Sequence, residues 1–143
     1  MTSGFWDTNL FIYRWELNPL YINPVRALRR KMLASGVELV TSTMTVGEIM
    51  TGPRKKMNET LAQQYKTTLS QVATIAPFDE RAADLYARVR AEYGVKQPDA
   101  IQLACAASYG VEFFITNDEH LQKVRLPGIH FVVSIQTALQ LLP

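Results

Sequence analysis

Cysteine is almost absent from this sequence. Cys105 is the only one among 143 residues, which makes an internal disulfide impossible and argues against a zinc site built on cysteines. Histidine is nearly as rare, because His120 and His130 are the only two and neither has another metal ligand at the usual spacing. A Ser-His-Asp or Cys-His nucleophile therefore finds little support. Any catalytic chemistry has to come from other side chains.

Long apolar runs are also missing. No stretch approaches the roughly 20 apolar residues that a membrane-spanning helix needs. The start of the chain, MTSGFWDTNL, has no basic segment followed by a long apolar run, so it does not resemble a signal peptide. We expect a cytoplasmic protein with no membrane segment. The motifs GxxxxGK(S/T) and GxGxxG do not occur, which argues against an NTPase or a dinucleotide-binding enzyme.

Neither sign of charge dominates. The 15 Lys and Arg residues are balanced by 13 Asp and Glu residues, and the formal net charge of +2 is too small to indicate nucleic-acid binding. Two local basic clusters occur, RALRRK and PRKK. They are either solvated helix faces and a polar loop or, if a phosphate-processing site exists, contacts to a nucleic-acid backbone. Their members are Arg26, Arg29, Arg30, Lys31, Arg54, Lys55 and Lys56.

Short apolar segments alternate with helical patterns along the chain. Strands that alternate with helices indicate βαβ units and a mostly parallel sheet covered on both faces. We therefore predict a single α/β domain over residues 1–143. The segments with strand character are the FW pair before Asp7 and residues 37–42, 72–78, 111–116 and 129–133.

Capping and stop residues give the expected helix boundaries. Asn23 is the expected cap of a helix that has Pro24 in its first position and stops at Gly36. We expect residues 50–59, MTGPRKKMNE, to form an exposed loop. The other signals are caps at Asn58, Asp79, Ser134 and Asn117 or Asp118, Pro98 near one helix start, and stops at Gly94 and Gly110.

Two acidic residues follow predicted strands, and two lie near the start of predicted helices. Asp7 and Asp118 follow strands, so both should stand at the sheet edge where ligands bind in α/β proteins. Glu48 and Asp99 lie on the helices. A lone carboxylate in apolar surroundings is costly unless it is paired or binds a metal. We therefore expect the four acids to converge.

Each of these acids also has a purely structural explanation. Asp7 could cap a helix that starts near Thr8, and Asp118 could cap the short helix that follows it. Asp99 could complement a helix dipole, and Glu48 could simply be solvated. The four together favour binding of a hard divalent cation such as Mg²⁺, which prefers oxygen ligands and promotes phosphoryl chemistry.

Four motifs, taken in their order along the chain, resemble the PIN domain family. They are DTNLFIY at 7–13, TSTMTVGEI at 41–49, PDAIQLACAA at 98–107 and TNDEHL at 116–121. The resemblance covers almost the whole chain, and the group it is most similar to is the VapC-type toxins of toxin–antitoxin pairs. It implies a three-layer α/β/α sandwich with a mainly parallel central sheet. It also implies a ribonuclease that depends on Mg²⁺ or Mn²⁺.

The resemblance assigns site residues motif by motif. Asp7, Glu48, Asp99 and Asp118 are the implied catalytic and metal-binding acids, with Asp7 and Asp99 holding the main ion. Asn117 takes a position where many members carry a further acid. The implied site-orienting residues are Asn9, Thr116 and Asn117. Phosphate contacts would come from the two basic clusters and from Lys96 near Asp99.

Other functions stay open from the residues alone. A PIN fold that binds RNA or protein without cutting is the main alternative, although the intact acids argue against it. A nuclease acting on DNA or flap structures is a second. An aspartyl-phosphate phosphatase is a third, but DTN after the first strand lacks the second acid of the DxDxT pattern.

The resemblance also implies partners. VapC-like toxins form homodimers and are inhibited by a small antitoxin whose C-terminal segment wraps the toxin. Several large apolar groups between residues 11 and 21 could form a groove for an amphipathic helix, although such groups more often lie in a core. We therefore expect an RNA substrate, a cognate antitoxin and a homodimer.

Overall fold

A parallel sheet forms from the strands that the sequence predicts. The computed structural model describes residues 2–143, so Met1, the first residue of the predicted domain, lies outside the described residues. The strands are β1 (Ser3–Trp6), β2 (Glu38–Ser42), β3 (Thr74–Ala76), β4 (Val111–Ile115) and β5 (Ile129–Val133). They lie in the order β3-β2-β1-β4-β5, and every neighbouring pair is parallel.

Helices cover both faces of this sheet. They are α1 (Thr8–Trp15), α2 (Ile22–Ala34), α3 (Thr43–Lys55), α4 (Glu59–Val72), α5 (Glu80–Tyr93), α6 (Gln97–Tyr109) and α7 (Ile135–Leu141), with a short 3₁₀ helix at Glu119–Lys123. One apolar core joins the sheet to α1, α2, α3, α4 and α7, and a second core joins it to α5 and α6. The predicted three-layer α/β/α sandwich is confirmed.

The central strand explains why the chain begins with an apolar run. All of β1 is buried, and successive side chains point to opposite faces of the sheet. Phe5 stacks on Phe114 of β4 at 5.0 Å between ring centroids, inside the core with α5 and α6. Trp6 packs on Phe11 of α1 at 5.1 Å in the other core. β1 is thus fixed between two hydrophobic layers.

The strand order reverses between β1 and β4, and this reversal locates the site. In open α/β sheets, ligands bind outside the carboxyl ends of the strands at such a point. α1 and α3 begin directly after β1 and β2, so both helices start at that edge. α6 precedes β4 and connects back to it, so its first turn lies at the same edge. The fold therefore gathers four chain segments at one place.

Several predicted caps and stops are confirmed. The side chains of Asn58, Asp79 and Ser134 each accept a hydrogen bond from a backbone N–H in the first turn of their helix. Gly94 and Gly110 end α5 and α6 with φ of 62° and 86°, a left-handed conformation that glycine adopts without a steric penalty.

The loop predicted at residues 50–59 is wrong in its first half, because α3 continues to Lys55 through Pro53. Proline removes only one backbone donor, and the preceding Gly52 has no Cβ to clash with the ring. The carbonyl of the buried Pro53 then accepts a hydrogen bond from the Asn58 N–H at 2.9 Å. The remaining turn is short and exposed, as expected.

Two further boundaries differ from the prediction. α2 begins at Ile22 rather than behind Asn23, because the Ile22 N–H already bonds to the Asn18 carbonyl at 2.9 Å. Pro24 therefore falls inside the first turn, where its missing N–H leaves no bond unmade. The strand predicted at 72–78 is shorter, because α4 occupies its first residue.

No helix within residues 2–143 combines the length and the apolar character needed to cross a lipid bilayer.

Candidate functional site

Asp7 lies directly at the carboxyl end of β1 and is half-buried. Its Oδ1 accepts the Asn9 N–H at 3.1 Å, so Asp7 does cap α1, as one explanation of it proposed. Its Oδ2 accepts the hydroxyl of Thr116 at 2.5 Å. A plain helix cap needs only the first of these bonds. The second fixes the carboxylate against the end of β4.

Thr116 is the fully buried residue that follows β4, and its hydroxyl joins two of the acids. The hydroxyl donates to Asp7 and accepts the backbone N–H of Asp118 at 3.1 Å. The Asp118 side chain accepts the His120 N–H at 2.9 Å, so it caps the 3₁₀ helix. Thr116 was expected to help orient the site, and its hydrogen bond to Asp7 is the contact through which it can do so.

Glu48 and Asp99 approach the same edge from two helices. Glu48 lies in α3 and is half-buried, and its Oε1 accepts the hydroxyl of Thr8 at 2.6 Å. Asp99 lies in the first turn of α6, where a negative charge interacts favourably with the helix dipole. It is half-buried as well. Neither acid is simply solvated.

A buried side-chain amide of α6 forms hydrogen bonds with residues at the starts of α1 and α3. Gln102 is one turn beyond Asp99 in α6 and is 3% exposed. Its Nε2 donates to the hydroxyls of Thr8 and Thr45 at 2.9 and 2.8 Å, and its Oε1 accepts the hydroxyl of Ser42 at 2.5 Å. One side chain of α6 therefore binds the starts of both α1 and α3.

The hydroxyls of this network connect β2 with the starts of α1 and α3. Thr41 lies 2.9 Å from the Trp6 carbonyl oxygen and 2.8 Å from the Thr45 hydroxyl. A hydroxyl has one proton, so Thr41 can donate either to the Trp6 carbonyl or to the Thr45 hydroxyl, and the Thr45 hydroxyl also accepts from Gln102. Thr8 accepts from the amide and donates to Glu48. The donors that run from Gln102 through Thr8 therefore end on the carboxylate of Glu48.

The acids interact electrostatically across this edge. Burial raises the pKa of Asp7 to about 6; the Thr116 hydrogen bond and the backbone lower it, and the charge of Asp99 raises it. Burial also raises the pKa of Asp99, and the charges of Asp118 and Glu48 add to this effect, whereas Lys96 opposes it. The structure thus places Asp99 within electrostatic range of the other three predicted acids. Their mutual repulsion is relieved when a cation binds among them.

The four acids are better suited to a hard cation that keeps part of its water shell than to one that only protein ligands surround. Within residues 2–143, no three Asp, Glu, His or Cys side chains are close enough together to form a ligand set by themselves. Mg²⁺ does not require one, since it is usually held by one or two carboxylates and keeps several waters. Asp99 and Asp7, whose pKa the charge of Asp99 raises, fit as such ligands. Glu48 and Asp118 can then act through water.

The remaining orienting residues differ in what they contact. Asn9 is exposed, and only its backbone N–H contacts Asp7. Asn117 is half-buried, and no group in the described part of the chain accepts from its Nδ2. Burial raises the pKa of Tyr13, the neighbouring Asn117 side chain lowers it, and the charge of Asp7 raises it. Tyr13 of α1 therefore belongs to the surroundings of the site.

Parts of the two predicted basic clusters serve structural roles. Arg54 forms a two-pronged ion pair with Glu59, at 2.9 and 3.0 Å. Lys31 donates to the Leu139 carbonyl at the end of α7. Arg26 lines a cavity of about 230 Å³ beside Trp6, on the face covered by α1, α2 and α4. None of these contacts of Arg54, Lys31 and Arg26 involves the four acids of the site.

Sequence reasoning missed one neighbour of the acids, Tyr13, and all five residues of the network, which are Thr8, Thr41, Ser42, Thr45 and Gln102. Thr8 and Thr45 are ordinary helix-start residues, and Tyr13 resembled a core aromatic. Gln102 left the clearest signal, because it is a lone amide in an otherwise small and apolar stretch of α6. A buried amide has to be hydrogen-bonded, so its position alone indicated a polar network.

Comparison with known protein families agrees with this fold. The family model described as the PIN domain matches residues 5–126. The chain therefore belongs to the PIN domain family. A comparison with curated proteins finds no match.

Solved structures of similar fold come from toxin–antitoxin systems. A toxin–antitoxin complex from Klebsiella pneumoniae is 25% identical, with a TM-score of 0.65, and covers 89% of this chain and 95% of its own. VapBC2 from Rickettsia felis, bound to a DNA fragment from its promoter, is 19% identical, with a TM-score of 0.71 and coverage of 93% and 98%. DNA-bound VapBC from Salmonella typhimurium is 22% identical, with a TM-score of 0.69 and coverage of 94% and 99%.

Proposed function

We propose that this protein is a divalent-metal-dependent ribonuclease that hydrolyses RNA phosphodiester bonds. The observation that carries the proposal is that Asp99 lies within electrostatic range of Asp7, Glu48 and Asp118, at the edge where the strand order reverses. Membership of the PIN domain family supports it. The four acids are accordingly proposed as the catalytic and metal-binding residues.

Asp7 and Asp99 would hold Mg²⁺ or Mn²⁺, and Glu48 and Asp118 would orient its waters. The bound ion supplies an acidified water and neutralises the charge that develops on the phosphate. Thr116 keeps the Asp7 carboxylate in one orientation through its hydrogen bond. Thr8 does the same for Glu48. Both hydroxyls are buried, so the acids reach the site with little freedom to rotate.

We further propose that the protein is the VapC-like toxin of a type II toxin–antitoxin pair. The Klebsiella pneumoniae complex, at 25% identity, supports an antitoxin partner. The homodimer and the cytoplasmic location expected from the sequence stay predictions.

A cleavage assay on structured RNA tests the enzymatic proposal. It compares wild type with Asp7→Asn and Asp99→Asn in Mg²⁺, in Mn²⁺ and in EDTA, with Asp84→Asn as the control. Asp84 is an exposed acid of α5 outside the site, so its substitution changes the net charge equally. We expect metal-dependent cleavage by wild type and by the control, and almost none by the two site variants.

Two results would overturn the enzymatic proposal. Wild-type protein that cuts no RNA with either metal, when free of any bound partner, would favour the non-catalytic binding module. Cleavage that survives equally in Asp7→Asn and Asp99→Asn would show that these acids do not carry the reaction. Circular dichroism of each variant confirms that it is folded.

A further inference from the structure

A cleft of about 400 Å³ opens beside the acids, and most of its polar lining is basic or aromatic rather than acidic. It lies between the end of α5, the α5–α6 connection and the 3₁₀ helix. Asp99 and Asp118 are part of its wall, so the cleft is continuous with the site. The rest of its polar lining is basic or aromatic and comprises Tyr93, Lys96, His120 and Lys123.

The two lysines of this cleft are free to bind a ligand. Both are exposed, and neither ammonium group has a carboxylate partner among residues 2–143. Nearby arginines are already engaged: Arg90 donates to the Val95 carbonyl at 3.1 Å, and Arg125 donates to the Gln122 carbonyl at 2.9 Å. Lys96 lowers the pKa of Asp99 through its charge, whereas Lys123 forms no ion pair among residues 2–143.

The wall of the cleft is held in place by hydrogen bonds. The Tyr93 hydroxyl donates to the Arg125 carbonyl at 2.9 Å and accepts the Arg125 N–H at 3.1 Å. These two bonds join the end of α5 to the segment after the 3₁₀ helix. The ring is 38% exposed and lines the cleft. It therefore presents a fixed aromatic surface to anything that enters.

This combination matches the parts of a nucleotide in a single strand. Lysines bind phosphate oxygens, and aromatic rings stack on bases without sequence preference. Val95, Leu121 and Val124 add apolar lining against which a base can pack. A lone phosphate would need no ring, and an apolar ligand would need no lysines.

We propose that the cleft binds the nucleotide of single-stranded RNA next to the scissile phosphate, with Lys96 and Lys123 on the backbone and the Tyr93 ring on the base. The inference rests on the proposed ribonuclease function and assigns its substrate path. It assigns the main phosphate contacts to Lys96 and Lys123 instead of to the basic clusters on α2 and α3. Of these two lysines, the sequence predicted only Lys96.

RNA binding without cleavage tests the cleft separately from catalysis. The assay measures a fluorescent single-stranded oligoribonucleotide by anisotropy in EDTA, with every protein carrying Asp7→Asn so that no RNA is cut. The test variants are Lys96→Gln, Lys123→Gln and the pair together. Lys66→Gln is the matched control, because Lys66 is an exposed lysine of α4 in the opposite helical layer.

The expected size follows from counterion release. Each phosphate contact to a single strand contributes a salt slope of about 0.7, so each lost lysine weakens binding about 5-fold at about 0.1 M salt, and the pair about 25-fold. The salt slope should fall by about 1.4 in the double variant. The Lys66→Gln control should keep both the affinity and the slope of its parent.

The aromatic contact has its own variants. Tyr93→Leu removes the ring and should weaken binding by about 5-fold or more. Tyr93→Phe keeps the ring but loses the hydrogen bonds to Arg125, so it separates stacking from support of the wall. Binding by Tyr93→Phe should stay within about twofold of its parent, with both variants shown to be folded by circular dichroism.

The outcomes of this test are distinct from those for the ribonuclease. If the lysine pair and Tyr93→Leu bind RNA as tightly as the Lys66→Gln control, the cleft is not the RNA path, whether or not wild type cleaves. If they lose binding as described while wild type fails to cleave in Mg²⁺ or Mn²⁺, the cleft stands as an RNA site and the proposed hydrolysis is wrong.

Discussion

The hydroxyl of Thr116 donates a hydrogen bond of 2.5 Å to Oδ2 of Asp7, across the boundary between β4 and β1. This boundary is where the strand order of the sheet reverses. The same hydroxyl accepts the Asp118 N–H, so one small side chain orients two acids that are far apart in sequence. The geometry of the site thus depends on a residue that has no charge.

Thr116→Val should remove the hydrogen bond to Asp7 while preserving the shape of the side chain, because valine has nearly the same volume but no hydroxyl. Removal of a hydrogen bond to a charged group should lower the free energy of unfolding by about 2 kcal/mol. The pKa of Asp7 should rise further, since this bond favours the charged form. Urea unfolding measures the change in the free energy of unfolding. The pH dependence of Mn²⁺ binding measures the change in the pKa of Asp7. Thr116→Ser keeps the hydroxyl, and equal behaviour of the two variants would disprove the role.

Gln102→Met should destabilise the protein because it leaves the hydroxyls of Ser42, Thr8 and Thr45 without their amide partner. Unsatisfied buried polar groups cost about 1–3 kcal/mol each, so we expect a loss of about 3 kcal/mol in the free energy of unfolding. Gln140→Met, on the exposed side of α7, is the control. Urea unfolding compares the two. A Gln102→Met variant as stable as the control would mean that the network contributes little.

The free energy of unfolding in EDTA should depend on pH through Asp7. Its pKa is raised from 3.8 to about 6 in the folded protein, so folding favours the protonated acid. The associated stability is complete below the unfolded pKa and is lost as the pH rises through about 6. Relative to Asp7→Asn, wild type should therefore lose about 3 kcal/mol between about pH 4 and about pH 8.

Urea unfolding of the two proteins across this pH range measures that difference. Other titrating groups are shared, so they largely cancel in the comparison. Asparagine also remains an effective helix cap, which keeps α1 comparable. Parallel pH profiles for the two proteins would contradict the raised pKa, and so would a wild type that becomes relatively more stable at high pH.

Much of the fold follows from local signals in the sequence. Apolar segments predicted the sheet, and Gly94 and Gly110 marked helix ends because a left-handed residue was needed there. The convergence of the acids followed from topology, since residues after parallel strands meet at one edge. Asp7 was an informative case because it both caps a helix and faces the other acids, so the two explanations of it were not exclusive.

The parts that could not be predicted depend on contacts between distant segments. Gly52 and Pro53 look like helix breakers, yet packing keeps Pro53 buried inside α3. Gln102 bonds to residues 60 and 94 positions earlier in the chain, which no local pattern encodes. The basic cleft joins Lys96 to Lys123 through the fold alone. Such pairs become visible only when the helices are in place.

Calorimetric titration with Mn²⁺ is the sharpest test of the proposal that the four acids act as one divalent-cation site. The proteins are wild type, Asp7→Asn, Asp99→Asn and the Asp84→Asn control, all at one pH and salt. We expect wild type and the control to bind Mn²⁺ alike, and each site variant to bind it about 10-fold or more weaker. Equal binding by all four proteins, or no binding by wild type, would contradict it.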